Sequence, residues 1–556
     1  MVSLLLFFGT AAQADLIPPG ETIQDAVFVD IPADGFSVVT ELIPALVPEQ
    51  IDVEGTSDSG GWSCFNYAFS ISDVWVQIDI ANATIVPQDG YLGLTIELQI
   101  NVNEENDPFR LMTELFCADS TCDGYVLPFI ATVNGKIYLN VTDIDGDGQN
   151  EVDAIVEIDP PSYDLTSDYI TLDDCALGTI EEVLNFFGWS IYELVLDLAT
   201  PALEDAVNDL VPELEETLED AFADLNIQET FEVGEAEVNL NLYPTALTSQ
   251  TEGLRLALTG NSSSSMVADC VAEFDPMGSK ATNSAAPVVS DVPSGSMLGA
   301  IAADDFINQL LYNAWRGGIL CQTIDEDTFA LDTSILNLLS SDSFIELFPE
   351  NETMVIETSP KVPLTLNMGT DADLAIDVTD LELKFYATVD YRKTNVLGVD
   401  LNTDVGVNLN FDNTTGALGL DLDLDPDRVD STVRTNEFVP NSSQAIEDNF
   451  SGQLGIILGL IDIETLVGEL NFVVPSYEGI GVNEMTVSST GGNGEDLGIY
   501  AGVGTVPYAG CDEGSESSGC EGSSEGCATT KRGNGRLLIT AFVCILVLRR
   551  RSNTGS

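Results

Sequence analysis

The stretch MLGAIAADDFINQLLYNAWRGGILCQTID, Met297 to Asp325, anchors the reading of the whole chain. Within it, AADDFINQLLYNAWRGG reads as a helix that stops at a glycine cap around Gly317. A low-complexity linker, Asn261 to Ser294, precedes it. On both sides of that linker the same order of elements recurs: short helix, strands, long helix, strand. In the N-terminal half the short helix is FSVVTELIPALVPEQ and the long one is SIYELVLDLATPALEDAVNDLVPELEETLEDAFADL. In the C-terminal half the quoted helix is the short one, and SSQAIEDNFSGQLGIILGLIDIETLVGEL is the long one. The halves share no obvious sequence identity, so the duplication lies in the order of elements.

The strands announce themselves by alternation. Val74, Val76, Ile78 and Ile80 alternate with polar residues, as do Leu92, Leu94, Ile96, Leu98, Ile100 and Val102. Val238, Leu240 and Leu242 repeat the pattern, followed by Val405, Val407, Leu409 and Phe411, and by Leu418, Leu420, Leu422 and Leu424 across the turn DNTTG. Period two with one apolar face means sheets covered on one side and wet on the other. Asp421, Asp423, Asp425 and Asp427 then lie on a wet face, where they read as solvated charge rather than as a metal ladder. In the first long helix, Leu194, Leu198, Leu203, Val207, Leu210, Leu214 and Leu218 step by three to five. Thr200-Pro201 reads as a restart of that helix and Pro212 as a kink.

In order and spacing the chain resembles the tubular lipid-binding proteins typified by bactericidal/permeability-increasing protein, lipopolysaccharide-binding protein and cholesteryl ester transfer protein. FSVVTELIPALVPEQIDVEG looks like that family's first helix and strand. AEVNLNLYPTALTSQTEGLRLALTGN resembles the strand pair after the long helix, and LNFVVPSYEGIGVNEMTV with DLGIYAGV the closing strands. The quoted stretch resembles the opening of the second barrel, with Asp305, Phe306, Asn308 and Gly318 in matching places. The resemblance spans about residues 25 to 505. It implies an α+β fold of two tandem elongated barrels. Each would be a curved antiparallel sheet wrapped round a long helix, and the two would be related by a pseudo-two-fold.

The same resemblance implies that lipid chains bind between helix and sheet. Leu194, Leu198 and Leu210 in the first half, and Ile456, Ile457 and Leu460 in the second, are the candidate lining residues. An acyl chain gains roughly 0.8 kcal/mol per buried CH₂ in such a groove. Each of these side chains would serve equally well as ordinary packed core. One departure from the family matters: the first half has only Arg110, Lys136 and Arg255 where a basic tip is expected. A neutral lipid, a fatty acid or a hydrophobic small molecule therefore fits better than capture of lipopolysaccharide by charge. The alternative is a calcium-stabilised structural or adhesive surface protein with no ligand.

Composition narrows the function further. Of 556 residues, 93 are acidic and 17 basic, and six of the basic ones lie at or beyond Lys531. The remaining 11 face all 93 acids, so nucleic acid, which requires clustered Lys and Arg, is excluded as a partner. There is no histidine, which removes Ser-His-Asp and Cys-His catalysis and His-ligated metals. No nucleophile elbow, P-loop or dinucleotide fingerprint occurs, and no enzymatic activity is expected.

VTDIDGDGQNEVDA, Val141 to Ala154, has the order DxDxDGxxE through Asp143, Asp145, Asp147, Gln149 and Glu151. Alternating carboxylates converge on one centre when a glycine turns the loop, and hard oxygen ligands suit Ca²⁺. Asn150 and Ala154 depart from a full EF-hand. The flanks KIYLNVT and VDAIVEI read as strands, so the loop is expected to close a hairpin as a structural clip.

Both ends read as addresses. VSLLLFF followed by AQA ending at Ala14 has the form of a secretory signal peptide. The end of the chain carries Cys511, Cys520 and Cys527 in a Gly/Ser/Glu spacer, then Leu537 to Leu548, then Arg549 to Arg551. It resembles the C-terminal sorting tags of myxobacterial surface proteins. That resemblance implies transient membrane attachment and processing near Cys527. The expected division is signal peptide 1–14, first barrel 15–260, linker 261–294, second barrel 295–508 and tag 509–556. The expected location is secreted, cell-surface or outer-membrane. An oxidising setting would pair Cys117 with Cys122, Cys270 with Cys321, and Cys64 with Cys175.

Overall fold

The computed structural model describes residues 16–37, 50–53, 57–62, 65–115, 118–143, 150–163, 165–166, 169–173, helical positions scattered between 200 and 222, 225–233, 236–282, 287–325, 331–369, 372–423, 425–458, 472–474, 476–477 and 480–507. The chain is mostly sheet, with few helices. A ten-stranded antiparallel sheet occupies residues 50–173, and an eight-stranded one occupies 323–473. Both curl into half-barrels. A third sheet of eight strands joins them.

Strand alternation is as the sequence indicates. Along Tyr91–Val102 every second side chain is buried, and Leu92, Leu94, Ile96, Leu98, Ile100 and Val102 all enter the first core. Each gains roughly 1.5–3 kcal/mol over exposure. A one-residue slip would turn all six to water, so the register is fixed. Val238–Leu242 and Val405–Phe411 likewise fall within strands Ala236–Gln250 and Arg392–Asp412, and Leu418–Leu422 within Ala417–Asp423. The Asp421–Asp427 ladder is partly ion-paired: Arg428 reaches Asp423 at 2.9 Å and also holds Asp404. Among the described residues no group of candidate metal-ligating side chains occurs there or elsewhere.

The joining sheet draws strands from both halves. Ile23–Pro32 and Gly253–Ser264 from the first pair with each other, while Leu298–Ala302 and Asp496–Thr505 come from the second. The seam between them is Ala300 against Val29. The stretch 261–294, expected as a linker, continues as strand to Ser264 and later pairs Lys280 with Leu16. Val271 within it is fully buried.

The helix of the quoted stretch runs Asp304–Arg316. Its end is one residue more elaborate than expected. Gly317 is the right-handed cap, and Gly318 takes the left-handed conformation at φ +88°. The N–H of Gly318 bonds to Trp315 O and that of Ile319 to Ala314 O, the paired closure of a Schellman motif. The helix buries amides as well as apolar groups. Asn308 accepts the Leu366 N–H at 2.8 Å, Gln309 accepts the Ser262 N–H at 2.7 Å, and the Trp315 indole donates to Pro360 O. It thereby pins three separate strands.

In the first long helix, Asn208, Val211, Leu214, Glu215, Leu218, Glu219 and Phe222 are helical, and Leu214 and Phe222 are buried in the first core. The second long helix is described over Ser443–Leu458, with Ile446 and Phe450 fully buried in the second core. The helix read from Phe36 is described only at Phe36 and Ser37. The first long helix ahead of Thr200, and the second beyond Leu458, lie outside the described residues.

Candidate functional site

A cleft opens where the first half-barrel meets the joining sheet. Two hairpins make it. The first joins Val74–Gln88 to Tyr91–Val102 through Asp89 and Gly90, the latter at φ +86°, where glycine is favoured. The second joins Ala236–Gln250 to Gly253–Ser264. Their tips are stitched together: the Gly90 N–H donates to Ser249 O at 2.9 Å, and the Ser249 hydroxyl donates to Tyr91 O at 3.0 Å. The half-open space beside the stitch is about 380 Å³. Leu92, Ile137, Leu139, Leu247 and Leu254 supply its apolar lining. Asp89, Asn140, Thr248, Ser249 and Gln250 supply polar groups. The exposed lining is somewhat more polar than apolar, since Leu92, Ile137 and Leu254 are themselves buried; the volume lies within the usual range of small-ligand sites, roughly 300–1,000 Å³.

No lysine or arginine lines the cleft. Lys136 precedes the lining residue Ile137, and its ammonium lies 5.3 Å over the Tyr91 ring. The two other bases of the first half are also engaged. Arg110 faces Asp123 at 3.8 Å, and Arg255 is buried against Asp30, where burial raises the Asp30 carboxyl above its ordinary value and Arg255 opposes the rise. The site can therefore enclose an apolar chain and hydrogen-bond a neutral head, but it offers little to a cluster of phosphates.

Leu194, Leu198, Leu210 and Leu460 lie outside the described residues, and Ile456 and Ile457 sit on the helix Ser443–Leu458. The cleft escaped the sequence because its two walls lie about 158 positions apart, as the Tyr91–Ser249 bond shows. Leu92 was legible as a covered strand position, but nothing local marks which covered positions border a gap.

The acidic loop does close a hairpin. Thr142 ends one strand and pairs at the mouth with Glu151, which begins the other, and Asp143 follows directly on Thr142. Asp145, Asp147 and Gln149 lie outside the described residues, as do Ala14 and Cys527. Asn150 fixes the exit of the loop by donating to Pro244 O at 3.2 Å. Cys270 and Cys321 form the expected disulfide. Cys122 is disulfide-bonded and buried, while Cys64, Cys117 and Cys175 lie outside the described residues. Among the described residues no helix is long and apolar enough to cross a membrane.

No family model and no curated protein sequence matches the chain. Among solved structures it is similar to lipopolysaccharide binding protein at 13% identity and a TM-score of 0.50, covering 87% of this chain and 100% of that one. P47 of Clostridium botulinum E1 gives 10% identity and a TM-score of 0.25 over 86% of this chain and 99% of that one. P47 from Clostridium botulinum A2 gives 9% and 0.23, over 86% and 96%. The first of these likenesses concerns the fold: two curled half-barrel sheets with few helices are compatible with the fold of lipopolysaccharide binding protein.

Proposed function

We propose that the protein binds a lipid or another hydrophobic molecule, and that the cleft between the first half-barrel and the joining sheet is an entrance for it. The observation that carries this reading is the cleft itself, which sets polar groups beside the aliphatic Leu92, Ile137, Leu139, Leu247 and Leu254 and has no lysine or arginine in its lining. Likeness of fold to a protein named for binding lipopolysaccharide supports the class of ligand. The engaged state of Arg110, Lys136 and Arg255 argues for a different member of that class, a neutral lipid or a fatty acid. In this reading each curled sheet wraps the whole length of its long helix. The groove between them continues past the cleft to Leu194, Leu198 and Leu210, and its counterpart in the second half reaches Ile456, Ile457 and Leu460.

Two further parts belong to the proposal. The loop Asp143–Glu151 holds a structural Ca²⁺ through Asp143, Asp145, Asp147, Gln149 and Glu151, a reading supported by the hairpin that closes it. The chain is exported, with cleavage after Ala14 and processing near Cys527, a reading supported by the two terminal patterns and by the disulfide.

Leu247→Trp tests the site. Leu247 is partly buried against the first core and borders the cleft. The indole should fill ligand space, so that a fluorescent fatty-acid or phospholipid probe binds at least about tenfold more weakly, while the melting temperature changes little because open space rather than packed core is filled. Unchanged probe binding by this variant would remove the cleft from the pathway.

A further inference from the structure

The hairpin between Leu374–Val389 and Arg392–Asp412 turns on Asp390 and Tyr391, both with positive φ, 50° and 65°. Two successive left-handed residues form the turn in which Asn-Gly and Gly-Gly are favoured, because a bulky residue there crowds its own backbone. The Tyr391 side chain is 100% exposed, so packing within the chain does not offset the strain. A strained, unburied aromatic points to contact with something outside the chain.

Its neighbour is equally out of keeping. Before Lys531 the chain has 11 bases among 93 acids, so carboxylates are at hand almost everywhere. Eight of those bases hold an ion pair, including Lys393, 2.7 Å from Glu357. Exposed Arg392 forms none among the described residues. The same end of the sheet carries further exposed apolar groups. Met354 pairs with Ala387 near the tip, and the Asp332–Thr353 bridge brings the helix Ser334–Leu339 to that end. Leu338 and Ile345 are 48% and 52% exposed.

We infer that this tip is a contact for the interfacial zone of a lipid bilayer with zwitterionic phospholipid headgroups. Tyrosine favours that zone because its ring is apolar and its hydroxyl wet, and a free guanidinium binds a headgroup phosphate in a bidentate fork. Exposed Asp342, Glu346 and Glu350 on the adjoining segment, and the net charge of −76, set the protein against an anionic surface. The inference stands apart from the cleft: a tip can dock whether or not the cleft takes a ligand.

The test is sedimentation of the full chain with phosphatidylcholine vesicles. Wild type should sediment with them. Tyr391→Gly, which relieves the turn, should keep or raise the melting temperature while the bound fraction falls at least about fivefold. Arg392→Gln should weaken binding less. Adding phosphatidylglycerol should weaken binding by wild type at low salt, and the difference should shrink at about 0.5 M salt, where charges are screened within a few ångströms. Leu247→Trp should bind vesicles as wild type does, which separates this claim from the ligand site. Wild type that stays in the supernatant, Tyr391→Gly that sediments like wild type, or a tip that engages only a protein would each overturn the inference.

Discussion

The carboxylate of Glu215 accepts the backbone N–H of Val156 at 2.8 Å, joining a helix to a strand that pairs, among the described residues, on one side only. One turn on, Glu219 accepts the N–H of Ala154, two residues away on the same edge. The second half repeats the device: Glu447, on the helix Ser443–Leu458, accepts the N–H of Val433 at 2.8 Å. Among the described residues that strand, Asp430–Thr435, pairs only with Arg392–Asp412. An edge strand has spare N–H groups that must be satisfied, and a helix carrying glutamates at the right height satisfies them while blocking further strand addition. The two halves therefore share a working contact as well as an order of elements.

Glu215→Ala and Glu447→Ala should each lower stability by about 1–3 kcal/mol, because a partly buried N–H loses its acceptor. Glu→Gln at either position should recover most of the loss, since an amide oxygen still accepts. Urea midpoints of the four variants check this. Equal loss for Ala and Gln would mean that charge, not the hydrogen bond, is what matters.

Arg255→Met should cost about 3–5 kcal/mol at neutral pH, because it strands the Asp30 carboxylate, which is fully buried. It also removes the guanidinium that stacks 4.5 Å from the Phe28 ring centre. Burial already raises the Asp30 carboxyl, and Arg255 opposes that rise, so the variant should raise it further. A raised carboxyl favours the folded state at pH below its unfolded value and loses that advantage as pH climbs through the folded value. The deficit relative to wild type should thus shrink as the pH is lowered from neutral toward that of an ordinary carboxylate. Denaturation curves at several pH values read it directly.

The Cys270–Cys321 bridge closes 51 positions and lies beside the end of the helix Asp304–Arg316. Replacing both cysteines by Ala should cost about 2–4 kcal/mol. Gly318→Ala should cost about 1–2 kcal/mol for the left-handed backbone. Its new Cβ would also meet that of Ala268 at 2.9 Å. Thermal melts with and without reductant check the pair.

Chelation should lower the melting temperature, and Asp145→Ala together with Asp147→Ala should remove the dependence on chelator. A wild type that melts alike with and without chelator contradicts a Ca²⁺ clip in the loop Asp143–Glu151.

Much of the fold was legible because a covered sheet face writes period two into the sequence. The alternation from Leu92 to Val102 marks a strand whatever surrounds it. The glycine stop of the quoted helix at Gly317 was legible for the same local reason, but the left-handed turn at Gly318 was not, since the two glycines look alike until φ is known. The joining sheet was less legible. Val29 against Ala300 is a pairing between the halves, and local pattern says nothing about distant partners. Arg255, one of the three bases counted in the first half, is buried in an ion pair, and Asn308 and Gln309, polar on paper, are buried hydrogen-bonding hubs. The cleft was the least legible feature, being a gap between two hairpins and not a motif.

Native mass spectrometry of the protein purified from its own cells tests the central claim most directly. Lipid binding predicts a mass excess corresponding to one or more co-purified lipids, lost on denaturation and reduced in Leu247→Trp. A well-folded wild type that carries no added mass and binds no fatty-acid or phospholipid probe would contradict the account, and would leave the calcium-stabilised structural protein as the better reading.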